Sequence, residues 1–332
     1  MFVAVVGVPV VGPARMNAAA SERQDHPGAR AKVALGVYIA DQHSEVSGSS
    51  ALIRAYTKMV GARPAILMWY QTWSEHPNSF PTQGMNAARA QCMLPMLTWE
   101  PGAGRNPDPT YKLSRILNGA FDSFVKRFAI EAKNWGHPFM LRFAPEMNGN
   151  WFSWGAGPNA PNGNSPAQVV AVWRHIYDLF LKEGATNVIW VWSPNVSSKH
   201  SPDLKLFYPG DAYVDWVGLD GYNDGTALRA GHSGWQSFTQ IFGTSYADLA
   251  NLTKKPIMIA ETASAEFGGN KSVWIKNAFF RAIPNKFPRV RAVIWFDKAK
   301  ETDWRVNSSP RALAAFRQVA ADPLYSRHFA CS

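Results

Sequence analysis

The sequence predicts an α/β fold, a single (β/α)8 barrel, from three observations. Eight short, nearly continuous apolar runs recur along the chain. The longer segments between them carry helical periodicity, and carboxylates and aromatics gather where the runs end. Strands that are apolar on both faces and alternate with helices belong to a parallel sheet covered by helices. Eight of them over about 300 residues suit closure into a barrel, whose reactive groups lie at the C-terminal ends of the strands.

The runs are Val33 to Ala40, Ala65 to Tyr70, Cys92 to Trp99, Pro138 to Glu146, Asn187 to Ser193, Val214 to Gly221, Pro256 to Thr262 and Val290 to Asp297. The first is followed by Ala40-Asp41-Gln42-His43-Ser44. That is not the glycine-rich phosphate turn that a doubly wound open sheet would place there. Between runs, Phe121, Phe124, Val125, Phe128 and Ala132 recur at helical spacing, as do Val169, Val172, Trp173, Ile176, Tyr177 and Phe180. Ser165, Pro166 and Gln168 supply an N-cap, a first-turn proline and a capping-box partner for the second helix, and Gly184 ends it.

Composition narrows the function. A chain of 332 residues, 46% hydrophobic, can bury one large core, and neither half differs in character. The 14 tryptophans exceed what packing usually asks for and predict flat ligand surfaces. The net charge of +10 is scattered, with no arginine-rich helix or RNA-binding motif, so no nucleic-acid partner is expected. No stretch is long and apolar enough for a membrane span. Cys92 reads as a core thiol and Cys331 as an exposed one, without a disulfide framework. Residues 1–30 read as a leader: an apolar run from Phe2 to Gly12 precedes Ala18-Ala19-Ala20, as in a signal peptide, although the basic n-region is missing. Secretion or a periplasmic location is the expectation, with the barrel occupying residues 31–332.

The stretch from Phe139 to Gly155 carries the chemistry. An apolar run leads into Glu146 and then into Trp151 and Trp154. Period-2 alternation puts Arg142, Ala144 and Glu146 on one face, so a carboxylate emerges with an arginine beneath it. A plain ion pair between Arg142 and Glu146 is the structural alternative. The seventh run, Ile257-Met258-Ile259-Ala260-Glu261, brings a second carboxylate to the same rim. Two such groups can flank a bond, one protonating the leaving oxygen and the other attacking carbon. There is no H-E-x-x-H, paired C-x-x-C or G-x-S-x-G, so neither a metal nor a cofactor is expected.

The segments RFAPEMNGNWFSWG at 142 to 155, VDWVGLDGYN at 214 to 223, PIMIAETAS at 256 to 264 and AVIWF at 292 to 296 together resemble glycoside hydrolase family 26. The resemblance implies an endo-acting, retaining hydrolase of β-linked polysaccharide, foremost β-1,4-mannan, with β-1,3-1,4-glucan as the alternative. A carbohydrate-binding pseudoenzyme is the alternative of another class. Glu146 matches the family's acid/base and Glu261 its nucleophile. Tyr222 matches a tyrosine that hydrogen-bonds the nucleophile, and Trp295 an aromatic floor under the sugar at the cleaved bond.

Arg142, Asn148, Trp99 and Glu100 join the candidate substrate contacts, with Trp69 and Trp73 for distant sugars. Trp151 and Trp154 either stack on sugar or pack their loop. Family mannanases place a histidine before the acid, where this chain has Pro145, which has no donor to offer a sugar. The expected partner is a β-linked polysaccharide or oligosaccharide, and the expected state a monomer.

Overall fold

Eight parallel strands close into a barrel in chain order, β1 to β8, in the computed structural model. The structure describes residues 31–39, 50–74, 79–197, 201–226, 234–325 and 329. The leader, the turn after the first run and Cys331 lie outside the described residues. The strands are β1 (Ala34–Ile39), β2 (Ile66–Thr72), β3 (Leu94–Glu100), β4 (Phe139–Phe143), β5 (Val188–Trp192), β6 (Trp216–Asn223), β7 (Ile257–Ser264) and β8 (Val290–Asp297). Around them pack α1 (Ser50–Val60), α2 (Thr82–Arg89), α3 (Leu113–Leu117), α4 (Asp122–Trp135), α5 (Pro166–Glu183), α6 (Phe238–Leu252), α7 (Lys271–Asn277), α8 (Ile283–Lys286) and α9 (Pro310–Ala321).

Helix ends follow their sequence signals. Ser165 and Gln168 form the reciprocal capping box of α5, and Gly184 closes that helix in the left-handed region at φ 78°. Ser237 and Gln240 do the same at the start of α6.

Alternation along each strand separates two cores. Trp99 and Phe143 point outward to the helices, where Trp99 stacks on Phe128 of α4 and also meets Phe180 of α5. Their strand neighbours point inward. Tyr70, Thr98 and Arg142 stand in register across β2, β3 and β4, so they occupy one layer of the barrel interior.

Three local features depart from the sequence expectation. β4 stops at Phe143, because Ala144 (φ 44°) and Glu146 (φ 52°) are both left-handed. Such angles are uncommon outside glycine and break the period-2 alternation that would have stacked Glu146 over Arg142. β7 carries an extra residue opposite both neighbours: its register with β6 shifts between Leu219 and Asp220, and its register with β8 shifts between Ile259 and Thr262. Finally, Cys92 is half-buried and disulfide-bonded, not a core thiol.

Candidate active site

Glu261 owes its place to the irregularity in β7. Ala260 faces the interior, so close to Gly218 that a Cβ there would lie 3.0 Å from the alanine methyl. In a regular strand the next residue would face outward. The extra residue lets Glu261 face inward too, a known use of bulges beside active sites.

Three donors hold this carboxylate. Tyr222 donates to Oε2 at 2.5 Å, Tyr70 donates to Oε1 at 2.6 Å, and the Arg142 guanidinium also donates to Oε1. Arg142 is fully buried and makes a second ion pair with Asp220, itself bonded by the Ser193 hydroxyl at 2.9 Å. Three donors from three different strands fix the orientation of this carboxylate, as a nucleophile requires.

Glu146 sits in a different environment. It is half-buried, its backbone N–H is tied to the Ser193 carbonyl at 2.8 Å, and Trp151 donates its indole N–H to Oε2 at 2.6 Å. Desolvation, followed by the charge on Glu261, pushes its pKa up to about 7, against the lowering influence of Arg142, Trp151 and Lys300. Glu261 is thus gripped by three donors while Glu146 is held near its proton at neutral pH, two different environments of the kind an acid/base and nucleophile pair requires.

Trp151 is 44% exposed, so its ring is open to a ligand while its nitrogen holds Glu146. The ring lies over Gly149, where a Cβ would come within 2.5 Å of it, so only glycine admits this arrangement.

The other predicted contacts are corrected. Trp154 is buried, stacks on Phe152 and donates to the Pro145 carbonyl at 2.7 Å, so it packs its loop. Asn148 is buried and clasps the backbone of Asn195 through both ends of its amide. Arg142, expected among the substrate contacts, is buried and grips Glu261 and Asp220, and the alternative of an ion pair with Glu146 is not formed.

Trp99 and Trp295 fail as sugar platforms for one reason: each occupies an outward position of its strand. Trp295 is fully buried against Phe279 and Phe316. Phe296, its inward neighbour, packs with Tyr38 and Tyr222 instead. Trp69 and Trp73 are likewise buried. Glu100 ends β3 half-buried, with its carbonyl accepting from Trp73 and Gly102.

Sequence reasoning did not assign Tyr70, Asp220 or Trp304. Tyr70 and Asp220 stand at strand ends, but choosing them over their neighbours requires knowing which face turns inward. Trp304, from the β8–α9 connection, packs on Tyr222 with ring centroids 5.1 Å apart. Among the described residues, no cluster of His, Cys, Asp and Glu is arranged to hold a metal ion. No helix among them is long and apolar enough to cross a membrane.

The chain is 39% identical over 286 residues to Endoglucanase H of Acetivibrio thermocellus, covering 86% of this chain and 30% of that relative. It is 31% identical to a mannan endo-1,4-beta-mannosidase of Bacillus subtilis, over 51% of this chain and 41% of the relative. It therefore spans less than half the length of either. Among solved structures, a Cellulomonas fimi endo-beta-1,4-mannanase double mutant superposes with a TM-score of 0.66 at 18% identity, covering 88% of this chain and 71% of that one, a likeness of fold. The profile of glycosyl hydrolase family 26 matches residues 106–282, just over half of the sequence. The chain belongs to glycosyl hydrolase family 26.

Proposed function

We propose that this protein cleaves internal bonds of a β-linked polysaccharide by double displacement. The observation that carries the reading is the opposed setting of two carboxylates on one rim: Glu261 is held by Arg142, Tyr70 and Tyr222, while Glu146 is raised to about 7. Glu146 protonates the departing glycosidic oxygen as a Glu261 oxygen bonds to the anomeric carbon. Glu146, now ionised, then takes a proton from water, which attacks that carbon and releases Glu261. Trp151 offers its exposed face to a sugar ring.

β-1,4-Mannan is the substrate supported by the mannanases among the relatives. β-1,3-1,4-Glucan is a second reading, favoured by Pro145 and by the longer match to a relative called an endoglucanase. We propose a secreted or periplasmic location, supported by the disulfide at Cys92, a bond that persists in oxidising compartments.

The test is turnover of mannan, mixed-linkage glucan and β-xylan by the wild type, Glu146→Gln and Glu261→Gln. Loss of a nucleophile or acid costs about 100-fold or more. If both variants stay within about tenfold of wild type, the assignment is wrong, and binding without turnover by the wild type identifies a pseudoenzyme.

A further inference from the structure

Lys271, at the start of α7, is a fully buried lysine that the chemistry above does not use. Its ammonium donates to the carbonyl oxygens of Asp303 at 3.1 Å and Arg305 at 2.8 Å, and to Ser308 Oγ at 2.8 Å. All three of its protons are therefore engaged by the connection between β8 and α9. It also stands 5.7 Å from the centre of the Trp295 ring. Burial pulls its pKa down to about 8, with Glu266, Asp303 and Asp297 opposing that shift. A buried charge is costly unless fully paired, and a methionine would fill the same space without that cost.

The two carbonyls it holds belong to the residues on either side of Trp304. The same connection is fixed at three further points. Asp297 accepts from the Val306 N–H at 2.6 Å, Trp295 donates to the Trp304 carbonyl at 3.0 Å, and Ser308 donates to Glu266 at 2.7 Å. Trp304 is buried against Tyr222, whose hydroxyl holds Glu261. A continuous set of contacts thus runs from the ammonium to the carboxylate.

We propose that Lys271 is a positioning residue for the nucleophile: by clamping the backbone on both sides of Trp304, it sets the ring that holds Tyr222 against Glu261. This rests on the reading of Glu261 as nucleophile. Misplacing a reacting group by about 1 Å can cost about 100-fold, so a loosened clamp lowers turnover without touching substrate.

The experiment combines kinetics with hydrogen exchange in the full chain. Lys271→Met is expected to lower kcat about tenfold, with KM within about twofold, at a temperature where it is folded. In a Tyr222→Phe background the same substitution is expected to change kcat by less than about twofold, because coupled residues are not additive. Ser308→Ala, a milder change, is expected to show a smaller drop that also vanishes in that background. Exchange at peptides spanning 298–309 is expected to speed up in both variants.

Unchanged exchange overturns the clamp, whatever the activity. Faster exchange with wild-type kcat, or a full drop retained in the Tyr222→Phe background, overturns the link to the nucleophile. A wild type that turns over no β-glycan overturns the proposed function instead, and with it the functional half of this inference.

Discussion

Arg142 reaches across the barrel to Glu261, not along its own chain to Glu146. Its other partner, Asp220, is equally buried; burial pushes the Asp220 carboxyl well above the usual carboxylate range, and the Arg142 guanidinium opposes that shift by pairing with it. Removing one charge of a buried pair leaves the other uncompensated, at about 3–5 kcal/mol. Asp220→Asn is therefore expected to lower unfolding free energy by about that amount at pH 7. Urea denaturation checks this; a loss within the error of the method would mean that Asp220 contributes no charge to the site.

The pH dependence of turnover follows from Glu146. An acid raised to about 7 puts the basic limb of kcat/KM near that pH. The charge on Glu261 raises the value, and the Trp151 hydrogen bond lowers it. Trp151→Phe is accordingly expected to move the basic limb upward. In Glu261→Gln, the titration of Glu146, followed through Trp151 fluorescence, is expected to move downward. Shifts of the same sign would contradict the assignment.

The same group makes stability depend on pH. Its folded pKa of about 7 lies above the ordinary 4.5, so the fold favours the protonated form. That contribution is complete below about 4.5 and is lost as pH rises through about 7. Glu146→Gln is expected to stabilise the protein at pH 8 by about 1–2 kcal/mol, less than the full shift implies because water partly screens the side chain. Near pH 4 it should be neutral. Thermal unfolding at the two pH values distinguishes them.

Tyr70 and Tyr222 each give one hydrogen bond to Glu261. Hydrogen bonds to charged groups contribute about 1.5–3 kcal/mol. Tyr70→Phe and Tyr222→Phe are each expected to reduce kcat/KM by about 10- to 100-fold. Steady-state kinetics on a soluble β-glycan measure this, and wild-type values for Tyr70→Phe would remove it from the site.

Trp99 and Trp151 should separate stability from function. Trp99 is fully buried among Phe128, Phe143 and Phe180, and its loss to alanine is expected to cost about 3–5 kcal/mol. Trp151 is exposed, so Trp151→Ala should leave the melting temperature within about 2 °C and reduce kcat/KM about tenfold or more. Equal melting temperatures for the two variants would contradict the assignment of Trp99 to the outer core.

Strands, helix caps and the rim position of both glutamates were legible because each depends on neighbours in the chain. Apolar runs define strands, Ser165 and Gln168 cap a helix within one turn, and Glu146 and Glu261 follow or end runs of unmistakable character. Side-chain facing was less legible. Trp295 and Phe296, or Trp69 and Tyr70, are equally aromatic, and only one of each pair enters the barrel.

Those choices depend on contacts between strands far apart in sequence. The left-handed backbone at Ala144 and Glu146 redirects the acid, and the extra residue in β7 turns Glu261 inward. Both are irregularities that a hydrophobic pattern cannot encode, since they change the facing of a residue without changing its type. The chain alone was enough to place two carboxylates at the barrel rim. Closure of the barrel selected Arg142 and Tyr70 as partners of Glu261, because their three strands meet only across its interior.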